Sequence, residues 1–436
     1  MRKIKCKKRG AERKRVEEKS KKNLSIKAEY FKKPLKKFWL LNTDITPLVC
    51  PYSPTLPERR YVYKPNNQIK GNRPVSIGYE LSTIGLSCRE PVYGISKPSW
   101  NPPMSMQLVP YGMNKNSFTA RQVNELLNNK NLPIYGSLTV NALDSNYSSP
   151  EYISGTNGQD NLINIIRLAS NRNVWKQLSR EEIESNRNEN KDNRGANRIY
   201  GAVFNLGKVD QGGSRESNEQ FKFGIKLAKG KKALVEVDIW EDMLLRSKRG
   251  HNMKDKPFRL VRIQLLDAET GEPIFKKKMW LGVWGKRRKE ITGEEVYWAY
   301  RNRYDIEHFF RFGKQKLLLD KFQTPDEEHL QNWMEIVSLS YWLLFVGREE
   351  ATHTCRKWQK YDKNYKNRVA YNINPTPSQV QLQMARIILG FEQRAFLPKV
   401  KIKGKGRAQG ALFEKRKQYP VLKKPKMKKK ALKKTG

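Results

Sequence analysis

The chain has 436 residues, with 87 Lys and Arg against 43 Asp and Glu, a formal net charge of +44. At about 150 residues per domain this length allows two to three domains, and 37% hydrophobic residues with 10 Trp supply the apolar material of a folded core. Positive charge on this scale calls for a polyanionic partner, with nucleic acid first among the candidates. No apolar run approaches the roughly 18 residues of a spanning helix, and the charged start leads into no signal-peptide core, so a soluble cytoplasmic protein is expected. The four cysteines (Cys6, Cys50, Cys88, Cys355) lack CxxC or finger spacing, and the four histidines (His251, His308, His329, His353) are scattered. A disulfide framework, structural zinc and a His-based triad are thereby disfavoured, leaving carboxylates to carry any hydrolytic chemistry.

The charge concentrates at the ends. Residues 1–37 hold 17 Lys and Arg against 4 Glu, and residues 399–436 hold 16 against 1. The second stretch is rich in Gly and Lys without apolar periodicity, and reads as a disordered basic tail. Between them, the first strand is expected at residues 38–41, running into Asn42-Thr43-Asp44-Ile45-Thr46-Pro47, with further β pattern over 75–88. Residues 89–116 look irregular. A helix over 117–128 places Phe118, Val123, Leu126 and Leu127 on one face, and strands come next at 137–143, stopping at Asp144, and at 162–168. Residues 173–218 read as a polar loop. Residues 219–286 look β-rich, with 233–240 alternating and 258–266 pairing with 274–283 across the turn Asp267-Ala-Glu-Thr-Gly-Glu-Pro. Helical pattern returns from Thr292 to Lys316, over 327–350, and over 378–389.

Read as one helix at 100° per residue, residues 300–316 put Tyr300 at 0°, Arg303 at roughly −60°, Glu307 at −20° and Lys314 at −40°. Ile306, Phe310 and Leu317 form an apolar seam beside this polar stripe. Taken alone, the stripe is compatible with a solvated helix and an Arg303–Glu307 ion pair worth tenths of a kcal/mol. Phosphodiester cleavage with two divalent ions would instead use carboxylates from separate elements around ions about 4 Å apart, with cations on the neighbouring phosphates. Glu307 can supply one such carboxylate. Asp44 and Asp144, each just after an expected strand, can supply the others if those strands are neighbours.

Tyr300-x2-Arg303-x3-Glu307-x6-Lys314 resembles the Tyr-Arg-Glu-Lys signature of bacterial DDE transposases of the insertion-sequence-four-like superfamily. Asp44-Ile45-Thr46 resembles the family's first motif, and Asp144-Ser-Asn-Tyr147 its second; the likeness extends over residues 38–425. It implies an α/β fold: an RNase H-like core, a mixed sheet flanked by helices, interrupted by a β-rich insertion. Residues 38–172 would form the first part of that core, 173–290 the insertion, 291–350 the catalytic helix and the rest of the core, and 351–398 a C-terminal helical region. The resemblance further implies Asp44, Asp144 and Glu307 as catalytic metal ligands for two Mg²⁺, with Mn²⁺ able to substitute. Tyr300, Arg303 and Lys314 would contact DNA. The implied partners are double-stranded DNA, both transposon ends and target, and a second copy of the chain in a dimeric synapse. Family members usually carry a helical recognition domain before the first Asp motif; only 43 residues precede Asp44, so residues 1–37 are expected to be a truncated or missing version of it.

The residues alone leave two other readings open: a non-catalytic basic nucleic-acid-binding protein or inactive copy, and a general nuclease of the same fold. Asp267 belongs to a hairpin turn and is rejected as a ligand. Asp305, at 140° on the helix, is expected in solvent, and His308 has no assigned role. Trp280 and Trp284 are read as core residues before base-stacking ones, and Trp333 and Trp342 as core. Lys276-Lys277-Lys278 and Lys286-Arg287-Arg288-Lys289 are expected on the DNA backbone.

Overall fold

The computed structural model describes residues 38–50, 58–63, 75–88, 100–189, 198–207, 216–227, 231–322, 324, 326–353 and 375–390. The basic ends, 1–37 and 399–436, lie outside them. The central strands are β1 (Trp39–Val49), β5 (Thr139–Leu143) and β6 (Leu162–Leu168), which run parallel to one another. All five residues of β5 are buried, as are six of the seven in β6, the pattern of strands covered on both faces. On the other side of β1 lies an antiparallel group, β2 (Arg60–Tyr63), β3 (Val75–Leu86) and β4 (Pro103–Leu108), with β3 pairing with β1, β2 and β4. The core order is thus β4-β3-β1-β5-β6. β4 lies in the stretch expected to be irregular, where Pro102 and Pro103 mask a short strand.

The polar segment after residue 172 is also not a plain loop. It forms β7 (Asn173–Gln177), α3 (Arg180–Glu189) and β8 (Tyr200–Asn205), with β7 and β8 paired at the sheet's far end. Such short edge strands carry too little apolar pattern to stand out in sequence. The β-rich part then adds β9 (Glu219–Lys226), β10 (Lys232–Leu244), β11 (Phe258–Asp267) and β12 (Met279–Trp284), with the expected β11–β12 pairing across the Asp267 turn. β12 pairs with β6, so these strands extend the core sheet to twelve strands rather than building a sheet of their own.

Helices cover both faces. On one, α1 (Lys115–Leu127) and α2 (Pro150–Thr156) pack Val123, Leu126, Tyr152 and Ile153 over Leu41, Ile84, Leu143 and Ile166. On the other, α4 (Gly293–Asn302) sets Val296, Ala299 and Tyr300 over Leu40, Val140, Ala142 and Ile165. α5 (Asp305–Lys316), α6 (Glu327–Val346) and α7 (Pro377–Gly390) close a further core with Leu48, Tyr79, Leu81 and Leu108. Alternate residues of β1 therefore serve opposite layers. Helix starts are fixed by local chemistry: Thr292 and Glu295 form a capping box on α4, and the Asp326 carboxylate accepts from the His329 amide at the start of α6. No described helix is long and apolar enough to cross a membrane.

Candidate active site

The last paired residues of the parallel strands β1 and β5 are Thr43 and Leu143. The next residue on each strand is an aspartate, so the register itself sets Asp44 beside Asp144. β5 stops there because Asp144 turns the chain: one carboxylate oxygen accepts from the Asn146 amide at 2.9 Å, the other from the Asn146 side chain at 2.9 Å, capping a short 3-10 turn over Ser145–Tyr147. β1 continues, against the expectation that it ends before Asp44, because β3 goes on pairing with it through Val49. Beyond Thr43 it has a neighbour on one side only, and Pro47, with no N–H to donate, falls in that one-sided stretch.

Asn42, Asp44 and Thr46 are alternate residues of β1 and share the face that meets α4 and α5. Each meets a successive part of that helix pair. Asn42 Nδ2 donates to the Asn302 carbonyl at 3.1 Å, Asp44 Oδ2 lies 3.5 Å from Arg303 Nη1, and Thr46 Oγ1 accepts from Lys314 Nζ at 2.6 Å. Lys314 also donates to the Pro47 carbonyl at 3.2 Å.

Residues 292–316 are not one helix, as the stripe assumed, but two. Their junction is closed by three-residue hydrogen bonds, Arg303 N–H to Tyr300 O and Ile306 N–H to Arg303 O. In a continuous helix the Ile306 amide would donate to the Asn302 carbonyl; here that carbonyl is released and Asn42 takes it. The break shifts the phase of every residue after it. Asp305, expected in solvent, is 1% exposed, in the first turn of α5 where a carboxylate suits the helix dipole.

Arg303 is the hub. Its Nη2 donates to Glu307 Oε1 at 2.7 Å, its Nη1 faces Asp44, and its guanidinium carbon lies 5.8 Å from the centre of the Tyr300 ring. Tyr300, 7% exposed, is hydrogen-bonded to Arg167 of β6. Burial pushes the Tyr300 hydroxyl up, against the pull of Arg303 and Arg167. Burial is also the main reason the Asp44 carboxyl is pushed up to about 7; Asp144 adds to it, Arg303 and the Ile45 amide oppose it, and Glu307 adds a little. Lys314 is lowered by burial. Of the six residues singled out in sequence, Asp44, Asp144, Tyr300, Arg303 and Glu307 thus share one electrostatic neighbourhood. Lys314 stands on the far side of Asp44, anchored to Thr46.

Three carboxylates with hard oxygen donors suit Mg²⁺ or Mn²⁺, and a half-buried Asp44, raised first by burial and then by its neighbour Asp144, is a place where added positive charge is stabilising. The donor set therefore fits such ions. Among the described residues, however, no three His, Cys, Asp or Glu side chains are already gathered around one position. The Arg303 guanidinium lies between Asp44 and Glu307.

Behind the aspartates, on the opposite face, lies a buried polar chain that sequence inspection missed. Thr43 Oγ1 donates to Asn141 Oδ1 at 2.8 Å, Asn141 Nδ2 to Tyr152 Oη at 3.0 Å, Tyr152 Oη to Asn164 Oδ1 at 3.1 Å, and Asn164 Nδ2 to Thr156 Oγ1 at 3.1 Å. It crosses β1, β5 and β6 and ties them to α2. The available signal was an Asn or Thr in the middle of each otherwise apolar strand.

Other expectations resolve simply. Asp267 accepts from the Glu269 and Thr270 amides and pairs with Lys231 at 2.6 Å, as a turn residue does. Trp280 and Trp284 are 2% and 4% exposed in the core, Trp284 stacked on Phe258. Trp333 and Trp342 are partly buried against the helical core and donate to the Leu318 and Pro103 carbonyls. His308 lies edge-on to Tyr304. Lys286, Arg287 and Arg288 are paired with Asp160, Glu290 and Asp242 within the chain.

A family model described as a transposase DDE domain matches residues 101–343, more than half of the chain. The match contains Asp144, Tyr300, Arg303, Glu307 and Lys314 and begins after Asp44. The comparison with curated proteins gave no match.

Proposed function

The chain belongs to the family of transposase DDE domains, and from that premise we propose that it is a cut-and-paste insertion-sequence transposase of the insertion-sequence-four-like superfamily. The observation that carries this reading is the β1–β5 register, which sets Asp44 beside Asp144 on the face where Arg303 meets Glu307. The core order β4-β3-β1-β5-β6 supports the RNase H-like description.

In this reading Asp44, Asp144 and Glu307 hold two Mg²⁺, for which Mn²⁺ can substitute. Bound there, the ions would make the attacking oxygen a better nucleophile at neutral pH and neutralise the leaving oxygen. The residues of the chain do the positioning. Arg303, whose planar guanidinium suits two phosphate oxygens at once, and Lys314, a point charge, hold the phosphates on either side of Asp44, with Tyr300 backing Arg303. In the first step a water oxygen attacks phosphorus and the P–O3′ bond breaks, releasing a 3′-hydroxyl at the element's end. In the second, that hydroxyl attacks a target phosphate, forming a new P–O3′ bond as the target's own 3′-oxygen leaves and takes up a proton. The high positive charge gives non-specific hold on both duplexes, and two copies of the chain would bring the ends together.

The test is excision of a marker flanked by the DNA that borders this gene. Wild type should excise it in Mg²⁺ or Mn²⁺, and Glu307→Ala should reduce excision by three orders of magnitude or more while keeping DNA affinity. Tight DNA binding by the wild type without any excision would overturn the catalytic reading in favour of a non-catalytic DNA-binding protein or inactive copy.

A further inference from the structure

On the side of Asp44 away from Arg303 the sheet opens into a cleft of about 430 Å³, walled by β1 from Asp44 to Pro47, the start of α1 and the turn after Asp144. Its size is that of a small-molecule site, and beyond Asp44 and Lys314 its lining has no part in the cleavage chemistry assigned above. Its polar groups come from six separate elements, β1, β2, β3, α1, the turn after Asp144 and α5. Lys314 spends two donors on Thr46 and Pro47, leaving its third. Lys115 is ion-paired with Glu80 at 3.7 Å, beyond hydrogen-bonding distance, and Glu80, itself part of the cleft wall, is also held by Arg60 at 2.7 Å. Asn116, nine-tenths buried, donates to the Asn146 carbonyl at 3.1 Å and to Ser149 Oγ at 2.7 Å, which ties this wall to the turn that carries Asp144. At the rim stands Tyr63, 61% exposed, an aromatic face that an apolar core does not use.

Two ammonium groups and an exposed ring, beside a carboxylate placed for phosphodiester chemistry, match the phosphate and base of one nucleotide. We infer that this cleft seats the deoxynucleotide adjoining the cleaved phosphodiester, with its phosphate between Lys115 and Lys314 and its base stacked on Tyr63. The inference rests on the catalytic reading of Asp44 for its position, and on the cleft for its content. Stacking is indifferent to base identity, so Tyr63 and Lys115 position the strand and do not read its sequence.

The experiment uses the full chain and duplexes carrying the DNA that borders the gene, with the fluorescent base 2-aminopurine placed singly along the strand and Ca²⁺ replacing Mg²⁺. The expected result is a change in fluorescence confined to the position next to the cleavage point. That change should be lost in Tyr63→Ala and kept in Tyr63→Phe. Lys115→Gln should weaken DNA binding and lower the slope of log affinity against log salt by about one. A signal in Tyr63→Ala equal to wild type, or an unchanged salt slope in Lys115→Gln, would overturn the subsite; if Tyr63→Ala does not fold, Lys115→Gln decides alone. Excision by the wild type with no Tyr63-dependent signal would sink the subsite and leave the catalytic reading standing. A Tyr63-dependent signal from a protein that never cuts in Mg²⁺ would sink the catalytic reading and leave a nucleotide-binding cleft.

Discussion

The two aspartates and the glutamate reach the same place by opposite means. Asp44 and Asp144 are set by strand register, and the register is locked from behind by the Thr43–Asn141–Tyr152–Asn164–Thr156 chain, in which every residue is 4% exposed or less. A one-residue slip would turn every side chain of a strand to the other face and break all of these bonds together. Glu307 depends on a helix break held by one bond from Asn42 and on an ion pair with a partly exposed partner. The strand side is over-determined and the helix side is adjustable. On the proposed function the site admits both cations and DNA phosphates, and such a site gains from that division, since only one side has to move.

This contrast can be broken from the strand side first. Asn141→Leu keeps the volume but leaves the Thr43 hydroxyl unpaired and takes from the Tyr152 oxygen the bond it accepts, while Tyr152 still donates to Asn164, at about 1–3 kcal/mol for each bond lost. The variant should lose about 3 kcal/mol in urea unfolding with an unchanged slope, and its divalent-ion affinity should fall with stability. Loss of under about 1 kcal/mol would mean the chain does not lock the register. Asn42→Leu probes the other side. It removes the side-chain donor to the Asn302 carbonyl, and should cost about 1–2 kcal/mol. Its larger effect should be on excision, down by ten-fold or more with DNA affinity held, because Arg303 and Glu307 come directly after that carbonyl. Equal losses in excision and in DNA affinity would place Asn42 among the merely structural residues.

Legibility in the sequence divides along the same line. The aspartates were legible because a strand that runs apolar and then stops at Asp is a local pattern, as in Ala142-Leu143-Asp144. Their adjacency was not, because strand pairing is a long-range property; only the family resemblance suggested it. The helix break at Arg303 and Tyr304 has no Gly or Pro to announce it. The carbonyl it releases is taken by a side chain 260 residues away, Asn42, a partner that periodicity cannot see, so periodicity alone continued the helix and misplaced Asp305. The outer strands β7 and β8 were missed for a different reason: Asn173-Val-Trp-Lys-Gln177 lies next to the last strand of the sheet and is only five residues long, and its half-exposed residues dilute alternation. The polar chain behind the site was visible as Asn141 and Asn164 in apolar strands, and its meaning was not, since each residue reads alone as a blemish.

The smallest effect is the most informative about how the helix side works. Arg303 lies where its positive charge serves Asp44 and Glu307, 3.5 Å from one and 2.7 Å from the other. A divalent ion shared by those carboxylates must compete with that guanidinium, whereas a DNA phosphate would draw it away. Arg303→Gln should therefore bind Mn²⁺ more tightly in the absence of DNA. Because Glu307 is more than a third exposed, the contact is worth at most about 1 kcal/mol after solvent screening, and the gain should not exceed about five-fold. The same variant should bind DNA more weakly, with a lower salt slope. Titration calorimetry with Mn²⁺ reads the first effect and fluorescence anisotropy across salt the second. Weaker Mn²⁺ binding in Arg303→Gln would mean that the arginine holds Glu307 in place for the ion instead of standing in its way, and the adjustable side of the site would then be the shorter path from Asn42 to the helix break alone.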